Sequence, residues 1–297
     1  MKNKIAGVFR NLYRMIPGKQ LAFEGLRVFW SPPAKVYKHL SFKGRFRVPV
    51  ELGSFQMQHY GFELENCIFW SGVTGDWEGQ SIKIWIELTR HFEVIYDVGA
   101  NTGVFSLIAK TVNPMAEVHA FEPVERVFER LSLNNKINDF NIRCVRWAAS
   151  DRDGKAIIFD QNSEHIYSVT VNQDLSLPGT HTVQREISTK RLDTYFAALP
   201  LNTRPPQLLK IDVETHEPEV LLGMGNLLTA HRPDMLIEIL NNDIAIRIEN
   251  LVGRLGYLYF NLGEKGSIHR QEHLSKSDSY NFLVCKPETA RKLGLTF

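Results

Sequence analysis

The chain has 297 residues, of which 43% are hydrophobic and 23% are charged, and its formal net charge is +2. This length allows one large domain with an appendage and a core that needs no disulfides. The three scattered cysteines, Cys67, Cys144 and Cys285, argue against a disulfide framework and favour a reducing compartment. No uninterrupted apolar run approaches the roughly 18 residues of a membrane-spanning helix.

Residues 1–44 are predicted to form a basic N-terminal arm. Residues 1–47 carry eleven Lys and Arg against one acid, whereas the rest of the chain carries 24 basic and 32 acidic residues. Residues 1–16 show the apolar spacing of a helix with basic residues between the apolar ones, and Pro17-Gly18 ends the pattern. We expect an amphipathic helix that lies on an anionic membrane or glycan surface, or docks on the acidic body of this protein or of a second copy.

Residues 45–81 are rich in aromatic residues and glycine, which indicates short strands or a cap that leads into the main domain. In residues 82–297, apolar runs alternate with helical patterns, and this predicts an α/β, doubly wound, mostly parallel sheet. The expected strands are Val94–Val98, Glu117–Phe121, Ile142–Ala148, Gln207–Ile211 and Met235–Ile239. The expected helices are Ile82–Phe92, Gly103–Val112, Pro123–Ile137 and Glu217–Leu228.

Two further regions are predicted to be β-structure. Between the third and fourth strands, additional strands are expected at Lys155–Asp160, His165–Val171 and Thr182–Thr189. In the tail, Tyr257–Asn261 and Tyr280–Cys285 are expected to pair as a closing antiparallel hairpin.

The turn after the first strand of the sheet, Asp97 to Gly103, is a candidate nucleotide site. In an open parallel sheet, ligands bind where strands end, and the first strand-to-helix turn is the favoured place. Gly99 permits a tight turn, and Gly103 lets the next helix begin close to the sheet. Glu122 ends the second strand, where a carboxylate can accept hydrogen bonds from both ribose hydroxyls.

The residue types in this turn favour S-adenosylmethionine (SAM) over a dinucleotide. A dinucleotide site needs glycine where this chain has Asn101, because the backbone must approach a pyrophosphate. SAM has no phosphate, and Asp97 can meet the ammonium group of its methionine part. These observations disfavour a nicotinamide-dependent oxidoreductase.

Ionisable residues cluster after the fourth and fifth strands. Asp212, Glu214 and His216 alternate, so their side chains can share a face in an extended chain. Glu238 lies inside an apolar strand, either as a functional acid or as the partner of Lys210 in a structural ion pair. We predict His216 or Asp212 as the base that removes a hydroxyl proton, with Glu214 and Glu238 as orienting residues. A metal bound by these acids and His216 is the less favoured alternative, because the spacing fits no firm metal signature, and no metal is predicted.

Together these segments resemble the FkbM family of SAM-dependent methyltransferases. The resemblance covers about Ile82 to Leu240, and its motifs are Asp97–Gly103, Phe121-Glu122-Pro123, Ala148–Asp151, Arg191-Leu192-Asp193 and Lys210–Glu217. It implies a class I, Rossmann-like methyltransferase sheet of seven strands, with O-methylation as the usual activity. It also implies binding roles for Asp97, Gly99, Asn101 and Gly103 toward the methionine part, Glu122 toward the ribose, and Ala149 with Asp151 toward the adenine. The chain departs from the family pattern at Thr215, where glycine is usual.

The leading hypothesis is a cytoplasmic O-methyltransferase that acts on a sugar, glycan, glycolipid or secondary metabolite, with possible contact of residues 1–16 with the inner membrane face. A nucleic-acid methyltransferase that uses the basic arm is the second hypothesis. It is disfavoured because the body is acidic and the fourth strand lacks an Asn/Asp-Pro-Pro-aromatic ending. A non-catalytic SAM sensor is a further alternative.

Overall fold

A computed structural model describes residues 18–161, 169–170, 182–263 and 266–297. The first six elements are α1 (Lys19–Phe29), α2 (Ala34–Tyr37), β1 (Gly44–Val50), β2 (Gly53–His59), α3 (Glu63–Ser71) and α4 (Gly79–Thr89). The helix predicted for residues 1–16 lies outside the described residues. None of the described helices is long and apolar enough to cross a membrane.

The rest of the chain alternates strands and helices. The first half comprises β3 (Val94–Val98), α5 (Val104–Val112), β4 (Glu117–Phe121), α6 (Glu125–Ile137), β5 (Arg143–Val145), β6 (Ala148–Ala149), β7 (Gly154–Gln161), β8 (Val169–Thr170) and β9 (Thr182–Lys190). The second half comprises α7 (Leu192–Ala197), β10 (Leu208–Ile211), α8 (Glu217–Met224), a π-helical turn (Leu227–His231), β11 (Asp234–Glu238), α9 (Asn242–Val252), β12 (Leu258–Leu262), β13 (Ile268–Gln271), β14 (Asn281–Cys285) and α10 (Pro287–Lys292). Every residue of β3 and β10 is buried, as their apolar runs predict.

The main sheet has the strand order β13-β12-β14-β11-β10-β3-β4-β5. The five strands from β11 to β5 run parallel, and β14 pairs antiparallel with both β11 and β12. The predicted α/β fold with a mostly parallel, Rossmann-like sheet is confirmed, as is the antiparallel pairing in the tail. The sheet has eight strands rather than seven, because β13 folds back along the edge of β12. Strand order reverses between β3 and β10, which is where such sheets bind ligands.

The third predicted strand, Ile142–Ala148, is wrong as a single element. Only β5 joins the main sheet, whereas β6 pairs with β9 in a separate sheet of order β6-β9-β7-β8. Between them, the ring of Trp147 packs on Phe121, with 4.7 Å between ring centroids. The chain therefore leaves the main sheet after Val145 and enters the second sheet at Ala148, with the Trp147–Phe121 contact between the two strands.

Two predicted helices also have different bounds. The helix after β4 begins at Glu125 rather than Pro123, because the N–H of Val124 donates to the Glu122 carboxylate and so forms a turn first. The helix after β10 ends at Met224, since Gly225 follows with a φ of 48°. A π-helical turn then completes the segment predicted as one helix.

The hairpin β1–β2 packs on the main domain through hydrogen bonds and a shared core. Asn138, which follows the last residue of α6, and Asn134 within it accept hydrogen bonds from the N–H groups of Gln56 and Gln58 at 2.6 and 3.0 Å. Buried side chains of the hairpin, including Phe55, belong to the same apolar cluster as residues of the main sheet. The hairpin within residues 45–81 is therefore packed against the main domain rather than separate from it.

Candidate active site

A cavity of about 300 Å³ lies at the ends of β3, β4 and β10, beside the reversal of strand order. All but two of the predicted site residues line it: Asp97, Gly99, Asn101, Glu122, Ala149, Asp212, Glu214, His216 and Glu238. The structure does not place Gly103 and Asp151 in its lining. It adds residues that the sequence analysis did not single out for this site, among them Trp77, Glu78, Trp147 and Lys210.

Gly99 lets the turn after β3 pass close to the end of β10. Its φ is 81°, and a Cβ atom added there would lie 1.8 Å from the carbonyl oxygen of Asp212. The N–H of Gly99 donates to the carbonyl of Phe121 at 3.0 Å, which ties the turn to β4. Asn101 also has a positive φ, 52°, a conformation that asparagine tolerates better than most residues. Position 99 thus needs glycine for two independent reasons, its positive φ and its close contact with the Asp212 carbonyl.

Asp97 is a buried acid whose position is fixed by the next helix. Its Oδ2 accepts hydrogen bonds from the backbone N–H and the hydroxyl of Ser106, at 3.0 and 2.6 Å. Burial raises the pKa of Asp97 to about 6, although the Ser106 hydrogen bonds oppose this shift. Gly103 has a different surrounding, because an added Cβ would meet the Leu131 side chain of α6 at 2.6 Å. Ser106 is therefore a positioning residue that the sequence analysis missed, while Gly103 permits close helix packing.

Glu122 connects the two loops that border the cavity. Its Oε2 accepts from the N–H of Asn101 at 3.1 Å, and its Oε1 accepts from the N–H of Val124 at 2.9 Å. Burial raises the pKa of Glu122 to about 8, against the effect of these hydrogen bonds. A buried acid of this kind favours a ligand that donates hydrogen bonds to it.

At the other side of the cavity, Lys210 lies among carboxylates. Its Nζ donates to Asp212 Oδ2 at 2.9 Å, and the side chain is 1% exposed. Burial alone would lower the pKa of Lys210, but the charges of Asp212, Glu78 and Glu238 raise it above its usual value. The ion pair of Lys210 is with Asp212, whereas Glu238, the predicted partner, acts on Lys210 only through its charge.

Two acids of this cluster are strongly perturbed. Burial first and the nearby Asp212 second raise the pKa of Glu238 to about 10, and its Oε2 is buried without a hydrogen-bond partner. Burial raises the pKa of Glu78 to about 7, and Asn281 donates to Glu78 Oε2 at 3.2 Å. Glu78 has a φ of 43° just before α4. No periodic pattern marks such a turn residue, so the sequence analysis missed it.

The loop after β10 is held by Glu217. This buried acid accepts hydrogen bonds from the N–H groups of Val213 and Thr215, both at 3.2 Å. Between them, Glu214 has a φ of 54°, and burial raises its pKa to about 7. Glu217 thus shapes the segment that presents Asp212 and Glu214 to the cavity.

His216 is engaged by protein groups on both ring nitrogens. Its Nε2 lies 3.0 Å from the hydroxyl of Ser150, and its Nδ1 lies 3.6 Å from Glu219 Oε2. Burial lowers the pKa of His216. Asp151 follows Ser150 and accepts from its hydroxyl at 3.1 Å. Through these contacts His216 and Asp151 connect the end of β6 with the start of α8. Because both ring nitrogens of His216 face protein groups, the contacts favour Asp212 over His216 as the base.

Thr215 departs from the usual family residue at a position where the backbone favours glycine. Its φ is 79°, a region in which a β-branched side chain is strained. We expect Thr215→Gly to raise the free energy of unfolding by about 1 kcal/mol, since relief of strain outweighs the extra entropy of the unfolded chain. Urea unfolding measures this change. Thr203→Gly, at a loop position with ordinary φ, should lower stability, and a loss of stability in Thr215→Gly would contradict the prediction.

The structure offers no obvious metal site in the part of the chain that it describes. No group of three or more His, Cys, Asp or Glu residues there is arranged to hold a metal ion. The acids at the cavity instead contact backbone N–H groups, hydroxyls and Lys210.

The sheet order and the cavity at its reversal point define a Rossmann-like protein of the kind that binds a nucleotide-containing ligand. The family model for the methyltransferase FkbM domain matches residues 97–259, and the chain belongs to this family. The resemblance found in the sequence is thereby confirmed.

Several known proteins are similar to the chain. Hexuronic acid methyltransferase AglP of Haloferax volcanii is 30% identical over 153 residues, which cover 51% of this chain and 58% of that protein. The 31-O-demethyl-FK506 methyltransferase FkbM of Streptomyces tacrolimicus is 40% identical over 65 residues, covering 22% and 25%. The crystal structure of methyltransferase FkbM from Methylobacillus flagellatus is 15% identical, with 65% of this chain and 43% of that chain covered and a TM-score of 0.41. The matches span at most 60% of the length of these curated relatives.

Proposed function

We propose that the protein transfers a methyl group from SAM to a hydroxyl of a sugar, glycan, glycolipid or secondary metabolite. One observation carries this proposal: two buried acids, Asp97 and Glu122, line the same cavity as the Lys210–Asp212 ion pair. The first two suit the cationic and hydroxyl groups of the cofactor, and the pair suits proton removal from an acceptor. Two of the relatives, a hexuronic acid methyltransferase and a 31-O-demethyl-FK506 methyltransferase, support a hydroxylated acceptor.

The residues around the cavity fit SAM. Asp97 would accept from its ammonium group, and Glu122 would accept from its ribose hydroxyls, which matches the raised pKa of each acid in the protein alone. Ala149 and the Trp147 ring supply an apolar wall for the adenine. The Asn101 side chain, in turn, occupies the place where a dinucleotide site requires glycine.

The methyl donor and the chain have separate tasks. When bound, SAM supplies a methyl group whose bond to sulfur breaks, with the electron pair kept by sulfur, as the methyl carbon bonds to the acceptor oxygen. Asp212 accepts the proton that the acceptor hydroxyl loses. Lys210 holds the Asp212 carboxylate in position, because its Nζ donates to Asp212 Oδ2 at 2.9 Å. Glu214 and Glu238 orient the acceptor.

Binding of S-adenosylhomocysteine, which has the same ammonium and ribose groups, is expected to depend on pH through Asp97. The ligand's cation favours ionised Asp97, whose pKa in the free protein is about 6, so affinity falls as pH falls through that value. We expect roughly tenfold weaker binding at about pH 5 than at about pH 7. Titration calorimetry measures both affinities. Glu122, with its pKa near 8, faces uncharged ribose hydroxyls rather than a cation, so it changes the affinity in the same direction but by less than Asp97 does.

Asp97→Asn supplies the control for this titration. The variant should bind the ligand more weakly at neutral pH and lose most of the dependence between the two pH values, because the titrating carboxyl is gone. Absence of binding to the unchanged protein at neutral pH would overturn the proposed function itself.

The membrane contact of residues 1–16 is part of the same proposal. The described chain adjacent to this segment exposes apolar side chains on α1, with Leu21 75%, Val28 71% and Phe29 90% exposed. We expect the full chain to float with vesicles that contain phosphatidylglycerol and not with phosphatidylcholine alone. Removal of residues 1–16 should abolish the difference, and equal flotation with both vesicles would contradict membrane binding through basic residues.

A further inference from the structure

A second cavity, of about 330 Å³, adjoins the proposed cofactor cavity. Glu78 and Glu238 line both cavities, which places the second one beside the Lys210–Asp212 pair. Its other walls come from residues 75–81, from Leu262 at the end of β12, and from residues 278–281 just before and within β14. An acceptor in this space would lie next to the base without displacing the cofactor.

The lining of this cavity is acidic. Asp76, Glu78, Glu238 and Asp278 all contribute, and no described lining residue is Lys or Arg. Lys210, the nearest cation of the cluster, lines only the first cavity and is ion-paired with Asp212. An anionic ligand would therefore find no cationic side chain among the described lining residues to offset its charge.

Two buried oxygen atoms in the lining need a hydrogen-bonding ligand. Glu238 Oε2 and Asn281 Oδ1 are both buried without a partner. The other half of the Asn281 amide is already used, because it donates to Glu78. An orphaned amide oxygen requires a donor, which a hydroxyl or an ammonium group provides and a carboxylate does not.

The remaining wall suits a ring with several hydroxyls. Tyr280 is 44% exposed and offers an aromatic surface, while its backbone carbonyl is fixed by the N–H of Ile239 at 2.8 Å. Gln80, Ser81 and Ser279 add polar groups around it. The aromatic face can contact the apolar C–H groups of such a ring, while the polar neighbours hydrogen-bond with its hydroxyls.

We infer that the second cavity is the acceptor site and that it selects a polyhydroxylated ligand without negative charge, an uncharged or amino sugar rather than a hexuronate. This inference rests on the proposed methyl transfer and adds the acceptor's charge class to it. It distinguishes this chain from its relative AglP, a hexuronic acid methyltransferase.

Three matched sugars test the inference: methyl glucoside, the methyl glycoside of glucosamine, and methyl glucuronide. Each is titrated into the full-length protein saturated with S-adenosylhomocysteine, and binding is measured by ligand-observed NMR. The first two are expected to bind at least roughly tenfold more tightly than the glucuronide. Equal or tighter binding of the glucuronide, or binding of none of the three at their solubility limit, would overturn the inference.

A charge reversal locates the selectivity. Asp278→Lys changes an exposed residue that lines only the second cavity, and it should reduce the preference against glucuronide by about tenfold while leaving cofactor affinity unchanged. Glu288→Lys reverses an exposed acid at the opposite end of the sheet and should change neither quantity. An unchanged preference in Asp278→Lys would contradict the assignment. Failure of S-adenosylhomocysteine to bind would instead contradict the proposed function, so the two failures are distinguishable.

Discussion

Asp212→Asn is expected to slow methyl transfer by about 10²- to 10⁴-fold while cofactor affinity stays within a few fold. The amide keeps the shape of the side chain but cannot accept the hydroxyl proton as a carboxylate does. Lys210, which donates to Asp212 Oδ2 at 2.9 Å, can still contact the amide oxygen, so the loop should keep its position. The measurement is the rate of single turnover at saturating cofactor, with the sugar glycoside that binds best in the titrations.

His216→Gln is the matched comparison for this variant. Because the His216 ring contacts Ser150 and Glu219, we expect its replacement to lower stability more than the rate of transfer. A rate loss in His216→Gln that exceeds the loss in Asp212→Asn would reverse the assignment of the base.

Gly99→Ala should weaken S-adenosylhomocysteine binding by more than roughly 100-fold, a loss of about 2.7 kcal/mol or more. The added Cβ would lie 1.8 Å from a backbone carbonyl oxygen, so relief requires movement of the β3 turn or of β10 rather than of a side chain. The φ of 81° adds strain for any residue other than glycine. Calorimetry gives the affinity, and far-ultraviolet circular dichroism with a thermal melt reports whether the sheet has formed.

Gly25→Ala provides the matched control, since an added Cβ on α1 has open space around it. It should bind the ligand as the unchanged protein does. A folded Gly99→Ala variant with unchanged affinity would show that the turn does not border the cofactor.

The central strands could be predicted from the sequence because burial on both faces leaves an unbroken apolar run. Val94–Val98 and Glu117–Phe121 match the observed strands residue for residue. The change of sheet after Val145 could not be predicted in this way. Ile142–Ala148 has the composition of one strand, and the turn depends on the contact of Trp147 with Phe121, which is distant in sequence.

The residues predicted to bind the cofactor are also close together in sequence, which is why the sequence could group most of them at one cavity. Asp97 lies near the end of β3, Gly99 and Asn101 lie in the turn that follows it, and Glu122 comes directly after the adjacent strand β4. The acceptor side combines Glu78, Lys210 and Asn281, which are brought together only by tertiary packing. Glu78 follows no periodic pattern, and only the folded chain places it near Lys210, so the sequence alone does not predict its role.

The walls of the second cavity have a consequence for how such enzymes diversify. Apart from Glu238, its lining residues lie before residue 97 or after residue 259, outside the segment that matches the family model. With the second cavity as the proposed acceptor site, chemistry and substrate choice are encoded in separate stretches of polypeptide. Exchange of the segments before residue 97 and after residue 259 between homologues should therefore transfer the acceptor preference, while the methyl donor stays the same. Classification by the central segment alone then indicates the reaction but not the acceptor.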